Sequence, residues 1–218
     1  MSLNTEKSLE IIDKANWINK EQFDFYSSLD NPNHSLTTEM DCTFCYQEAK
    51  DNGYSFFASY LYRSLCVAND IEEFKLRIKG DQIVKAATLN GGSTVLRADH
   101  SFGFAFIEFY KTFSKFTENV KNTKIRIENK KGLCVDETAG KLNVIYYSVI
   151  PWIHFSGLTF AENIKTPTGI PMITFGKLRN LNNRFTLPIS INVHHGLVNG
   201  YALGNYLEKF QDLLNSKI

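Results

Sequence analysis

Phe185-Thr186-Leu187-Pro188-Ile189-Ser190-Ile191-Asn192-Val193-His194-His195-Gly196-Leu197-Val198-Asn199-Gly200 is the stretch whose reading decides the fold. Residues 185–194 form a long apolar and β-branched run, which predicts a buried strand. Pro188 lacks an N–H, so it is expected where the ladder needs no donor. Two adjacent imidazoles stand at the strand's C-terminal end, followed by Gly196. A helix is expected from about Tyr201, with Leu203, Leu207, Phe210 and Leu214 on one face. A strand end that feeds a turn holds functional groups on a rigid support. Neighbouring strand residues point to opposite faces, so His194 and His195 cannot easily share a metal ion. No His-Glu-x-x-His pattern or clustered carboxylates accompany them. An ordinary hydrogen-bonded histidine and a general base both remain open readings at this point.

Outward from that strand the pattern stays mixed. Leu142–Trp152 reads as a buried strand ending in Pro-Trp, Ile153–Phe160 as another short strand, Met172–Leu178 as a strand and Arg179–Asn183 as a polar turn. Residues 1–15 read as a leader strand or irregular arm, and Trp17–Tyr26 as a short helix. Ser35–Met40 alternates like a strand. Asp41–Asn52 and Tyr54–Asp70 are helical, divided by Gly53. Leu76–Ile78, Gln82–Val84 and Thr94–Leu96 are candidate strands, with Gly80 and Asn90-Gly91-Gly92 as their turns. Phe102–Ile107 is an aromatic strand, and residues 108–123 an amphipathic helix. The fold class is therefore α+β: one large mixed or antiparallel sheet with helices packed on it, in a single domain over residues 1–218.

Composition narrows the function. Apolar residues are 43% of the chain, enough for a sizeable core. Lys and Arg number 24 against 23 Asp and Glu, so the basic excess usual in a nucleic-acid binder is missing. The runs Lys111–Lys115 and Lys121–Lys131 have acidic neighbours and read as solvated faces. No apolar run is long enough for a membrane span. The N-terminus lacks the basic-then-apolar order of a signal peptide, which predicts a cytoplasmic protein. Cys42 and Cys45 make a lone Cys-x-x-Cys without a second pair, so buried thiols are expected rather than a metal site.

Several segments together resemble the chloramphenicol acetyltransferase family of CoA-dependent acyltransferases. His194-His195-Gly196-Leu197-Val198-Asn199-Gly200 is similar to its His-His-x-x-x-Asp-Gly motif. Asn16-Trp17, Lys20-Glu21 and Phe23-Asp24-Phe25-Tyr26 resemble its N-terminal stretch. Ser148-Val149-Ile150-Pro151-Trp152 resembles its Ser-x-x-Pro-Trp, Pro171–Lys177 its Pro-Ile-Ile-Thr-x-(Ala/Gly)-Lys, and Leu187-Pro188-Ile189-Ser190 its Leu-Pro-Leu-Ser. The matches run in order from residue 16 to 200. The resemblance implies transfer of an acetyl group from acetyl-CoA to a hydroxyl of chloramphenicol or a similar small molecule, as in antibiotic resistance. It implies His195 as the base, its other ring nitrogen bonded to a backbone carbonyl, Ser148 as oxyanion donor, and Thr174 as holder of a bridging water. Phe25, Tyr26, Phe102, Phe104, Leu158 and Phe160 fall at positions that line the acceptor site, and Lys177 at one that meets CoA. No metal is implied. A homotrimer with active sites between subunits is. These roles suit the residue types, since a neutral imidazole takes a hydroxyl proton near pH 7 and a fixed hydroxyl can donate to a developing oxyanion.

The chain departs from the family at several places. Asn199 stands for the motif's Asp, and Asn19 for the Arg that pairs with it. Two amides can replace an ion pair by hydrogen bonding to each other, so an Asn19–Asn199 contact, direct or through one water, is expected to support the His195 loop. Leu133-Cys134-Val135-Asp136 replaces an aromatic-bearing segment, and Ser55 stands where a Lys is usual. These changes motivate an alternative: a non-catalytic, trimeric, small-molecule-binding homologue.

Overall fold

The computed structural model describes residues 9–218. A seven-stranded mixed sheet carries the site. Its strands are β2 (Asn33–Asp41), β5 (Asn90–Leu96), β6 (Phe102–Ile107), β7 (Val144–Val149), β8 (Met172–Phe175), β9 (Arg179–Leu181) and β10 (Arg184–His194). The order is β2-β10-β8-β7-β5-β6, with β9 paired to the start of β10. β5, β7 and β8 run parallel, and the other pairings are antiparallel. A smaller sheet joins β1 (Leu9–Ile11), β4 (Gln82–Ala86) and β3 (Leu76–Lys79). The mixed sheet with helices matches the expected class. Of the expected arm over residues 1–15, the described part holds β1 and one 3₁₀ turn at Lys14–Asn16, and the rest lies outside the described residues.

The helices are α1 (Lys20–Ser27), α2 (Thr43–Asp51), α3 (Phe56–Asp70), α4 (Glu72–Lys75), α5 (Phe113–Glu128) and α6 (Gly200–Leu214). The core lies between the sheet and α3 and α6. Ile145, Tyr147, Ile173, Phe175, Ile189, Ile191 and Val193 face Leu61, Leu65, Leu203, Tyr206 and Phe210 in one buried cluster. The alternation of these strands places Ser148, Thr174, Ser190 and Asn192 on the opposite face. Ser64 ties both layers together, bonding the Tyr147 hydroxyl at 2.8 Å and the Tyr206 hydroxyl at 2.6 Å. Arg63 is buried under the C-terminus of α6. It donates to the Leu213 and Ser216 carbonyls and to the Glu48 carboxylate, which fixes the end of the helix that follows the His pair.

Four expectations are corrected by the tertiary context. Asn90-Gly91-Gly92 is not a turn but the first part of β5. A Cβ on Gly92 would stand 2.7 Å from the Tyr146 ring, so glycine is there for close approach rather than for a bend. Ile153–Phe160 forms no strand: residues 150–171 are irregular, and Ile153 is tied through its carbonyl to the Lys177 N–H. The expected helix over 108–123 begins later, at Phe113, and runs to Glu128. The Glu108 and Phe109 N–H groups go instead to the Asn119 and Asn90 side chains. Arg179–Asn183 holds a short strand, and its turn narrows to Asn182-Asn183, both in the left-handed region. Pro188 does sit where no donor is needed. Its carbonyl accepts from Gly176, so its ring nitrogen faces the place where β8 has already ended at Phe175.

Candidate active site

Strand register builds a row of hydroxyls across the sheet. Ser148 is opposite Thr174, Thr174 opposite Ser190, and Ser190 opposite Thr37. On the other side, Ser93 pairs with Tyr147, which sets Thr94 beside Ser148, and Phe104 pairs with Thr94. Thr37 donates to the Ser190 hydroxyl at 2.9 Å. Thr174 is buried, while Ser148 is partly open. The sequence-predicted pair Ser148 and Thr174 is thus brought side by side.

An open groove of about 1330 Å³ takes in two members of this row, Thr94 and Ser148. Its walls are the α2–α3 connection at Tyr54–Phe57, the end of β5 at Thr94–Leu96, one face of α5, and Ser148–Trp152. Phe102, Gly176 and Leu178 complete it, and Lys121 and Lys124 stand on its rim. Lys177 is exposed between the two lining residues Gly176 and Leu178. Phe102 and Phe104 meet edge to face at 5.7 Å. Leu158 and Phe160 lie half-buried in the irregular segment after β7. The segment that departs from the family runs along β6, where the Phe104 N–H donates to the Leu133 carbonyl.

His195 stands elsewhere. It lies five residues beyond Ser190 on β10, two strands across from Ser148, which makes the separation roughly 19 Å at ~3.3 Å per residue and ~4.8 Å per strand. Its ring is sandwiched. Tyr26 stacks on one side with centroids 3.8 Å apart and planes 7° apart, and His34 on the other at 4.0 Å and 17°. Phe25 is exposed beside Tyr26, edge to face at 5.1 Å. The His195 backbone is held at both ends: its N–H donates to the Pro32 carbonyl at 2.8 Å, and its carbonyl accepts from Gln22 at 2.7 Å. The expected bond from its second ring nitrogen to a backbone carbonyl is not formed: Nδ1 is buried without a partner. Stacking, rather than a hydrogen bond, orients this ring.

His194 points the other way, into the protein. It is only 2% exposed, stacks on Phe23 at 5.7 Å, and its Nδ1 accepts from the Gly196 N–H at 3.1 Å. Burial first, and then the neighbouring His195, push its pKa down to about 4, so it is neutral. No direct hydrogen bond joins Asn19 and Asn199. Asn199 caps α6, its side chain accepting from the Ala202 N–H at 2.9 Å. Asn19 sits at the start of α1 with no capping bond from its side chain. Asn199 can serve as this cap without a charge, because a helix N-cap needs an acceptor oxygen. Cys42 and Cys45 are buried, and burial raises both thiols, Cys45 to about 11. His34, Gln22, Thr94 and Ser190 escaped the sequence reading. His34 lies just before the alternating run at Ser35–Met40, and only the register of β2 on β10 brings it to His195.

The chain matches the chloramphenicol acetyltransferase family model over residues 7–211. A chloramphenicol acetyltransferase from Staphylococcus aureus is 28% identical over 210 residues, covering 95% of this chain and 97% of that protein. A solved chloramphenicol acetyltransferase structure superposes with a TM-score of 0.87 at 30% identity, covering 94% of this chain and 99% of the other. The dihydrolipoamide acetyltransferase of Azotobacter vinelandii shares the fold at a TM-score of 0.62 and 17% identity, over 88% of this chain and 85% of that one. Over nearly its whole length, then, this chain belongs to the chloramphenicol acetyltransferase family: it is an acetyltransferase.

Proposed function

We propose that the protein transfers the acetyl group of acetyl-CoA to a hydroxyl of chloramphenicol or a similar small molecule, in the cytoplasm, with His195 as general base. The observation that carries the reading is the clamped, partly accessible imidazole of His195, on a motif that resembles the family's. Nδ1 is buried, which leaves Nε2 to meet the acceptor hydroxyl. The imidazole takes the hydroxyl proton as the oxygen attacks the thioester carbon. The imidazolium that forms lies against the Tyr26 ring face, which favours a cation. Ser148 donates to the oxyanion of the tetrahedral intermediate, and Thr174, next to it, holds a bridging water. Collapse expels the CoA thiolate, which recovers the proton from His195. The groove that Ser148 lines suits the narrow arm of CoA. Lys121 and Lys124, which line it beside Glu118 and Glu128, and the exposed Lys177 next to its wall suit the phosphates. Phe25, Tyr26, Phe102, Phe104, Leu158 and Phe160 supply the apolar lining for the acceptor.

The separation of His195 from Ser148 within one chain has a direct consequence for assembly. A base roughly 19 Å from its oxyanion donor cannot act on the same carbonyl. A site built between copies of the chain removes the difficulty, and a homotrimer, in which each His195 faces a neighbour's Ser148, is the assembly we assign. The test of activity is release of CoA thiol from acetyl-CoA in the presence of chloramphenicol, together with sedimentation at micromolar concentration. Binding of chloramphenicol with no thiol release would make the protein a non-catalytic homologue, and a monomer would remove the shared site.

A further inference from the structure

We infer that His34 is a positioning residue for His195, holding the base at its working angle through ring-to-ring contact. The inference rests on the reading of His195 as the base. Three observations lead to it. First, the Nδ1 of His195 is buried without a hydrogen-bond partner in the chain, so no bond at that nitrogen fixes the ring's rotation. Second, that ring is confined between two parallel faces, and the His34 face closes the side opposite Tyr26, at 4.0 Å and 17°. Third, His34 is itself anchored. It sits on β2 opposite Val193, and its Nε2 lies 3.2 Å from the Val198 carbonyl. A carbonyl only accepts, so Nε2 carries the proton in that bond. The bond ties the His34 ring to the turn that follows His195.

The charge state suits this role. Burial, and next the proximity of His195, lower the pKa of His34. A neutral ring beneath His195 leaves the base free to accept a proton, whereas a second cation face to face with it would oppose that step. Any planar ring at position 34 would preserve the clamp. A side chain that only reproduces the bond to Val198 would not. That difference separates positioning of the base from plain support of the turn.

The test compares the full-length wild type with His34→Ala, His34→Phe, His34→Gln and His195→Ala. The readouts are acetyl transfer to chloramphenicol and the slow hydrolysis of acetyl-CoA by water, which needs no acceptor. Thermal melting accompanies each variant. His34→Phe keeps a ring without the bond, and His34→Gln keeps a donor without the ring. The expected result is a fall in kcat of about 10- to 100-fold for His34→Ala and His34→Gln, the scale of a misplaced catalytic group. KM should change little, and His34→Phe should recover to within a few fold of wild type. Wild-type kcat in His34→Ala, or rescue by Gln and not by Phe, while His195→Ala is inactive, would overturn this inference alone. Retained activity in His195→Ala would overturn both it and the reading of the base. Should His34→Ala fail to fold, the contrast between Phe and Gln decides.

Discussion

The rings of Tyr26 and His195 lie face to face, 3.8 Å between centroids and 7° between planes, across the boundary between α1 and the turn after β10. The contact joins two segments 169 residues apart, and it makes the aromatic end of α1 part of the wall around the His195 imidazole. His194, next in the chain, shares none of this, since it is turned into the core against Phe23. The two histidines therefore respond differently to the same substitution.

His195→Ala is expected to abolish acetyl transfer while leaving the melting temperature close to wild type. His194→Ala is expected to do the reverse. It leaves the Gly196 N–H without its acceptor, at a cost of about 1–3 kcal/mol, while substantial activity remains. Calorimetry and steady-state kinetics on both variants separate the two roles. Equal loss of activity in two well-folded proteins would contradict the assignment.

Ser148→Ala is expected to lower kcat by about 10²–10³-fold with little change in KM, because the oxyanion it serves exists only after attack. If the site lies between subunits, two dead variants should rescue each other. Refolding His195→Ala together with Ser148→Ala would produce mixed assemblies, some with an intact His195 facing an intact Ser148. Recovery of activity only in the mixture is the expected outcome. No recovery from well-formed mixed assemblies would place both groups in one chain's site, against the strand geometry.

The cap at Asn199 sets the outcome of substitutions there. Asn199→Asp keeps an acceptor at the N-cap and adds a charge that the helix N-terminus favours, so stability should hold or rise by about 0.3–1 kcal/mol. Asn199→Ala should cost about 1 kcal/mol. Asn19 forms no bond with it, so combining Asn19→Ala with Asn199→Ala should give additive changes, within about 0.5 kcal/mol. Chemical denaturation of the single and double variants measures this.

The buried His194 predicts acid sensitivity. Its folded pKa of about 4 lies below the ordinary 6.5, so the unfolded chain binds the extra proton first. This histidine costs nothing above pH 6.5, and stability is lost progressively as pH falls from 6.5 toward 4, by up to ~3 kcal/mol. His34, lowered in the same direction, adds to the slope. Urea midpoints measured at pH 7.5 and pH 5 should differ, and His194→Gln should shrink the difference. An unchanged difference in that variant would remove His194 as its source.

Residue order and periodicity were enough for the strand that ends at His194, the helix that begins at Gly200, the paired helices around Gly53 and the mixed class of the fold. Each is written in local pattern: apolar runs, caps and a spacing of three to four. His195, Ser148 and Thr174 became candidates only through the resemblance of contiguous motifs to a known family, not through periodicity. What depends on two distant segments meeting was not legible. Gly91 and Gly92 carry the local signature of a turn, yet β5 continues through them because β6 and β7 pair with it on both sides, and Gly92 leaves room for the Tyr146 ring. Residues 153–160 alternate like a strand, yet no neighbouring strand takes up their hydrogen bonds, and they stay irregular. Asn19 and Asn199 looked like a matched pair, but each sits at the start of its own helix. His34 carries no local signal. Strand register alone sets it against His195, because pairing in a sheet is fixed by the summed burial of whole strands and not by any single residue.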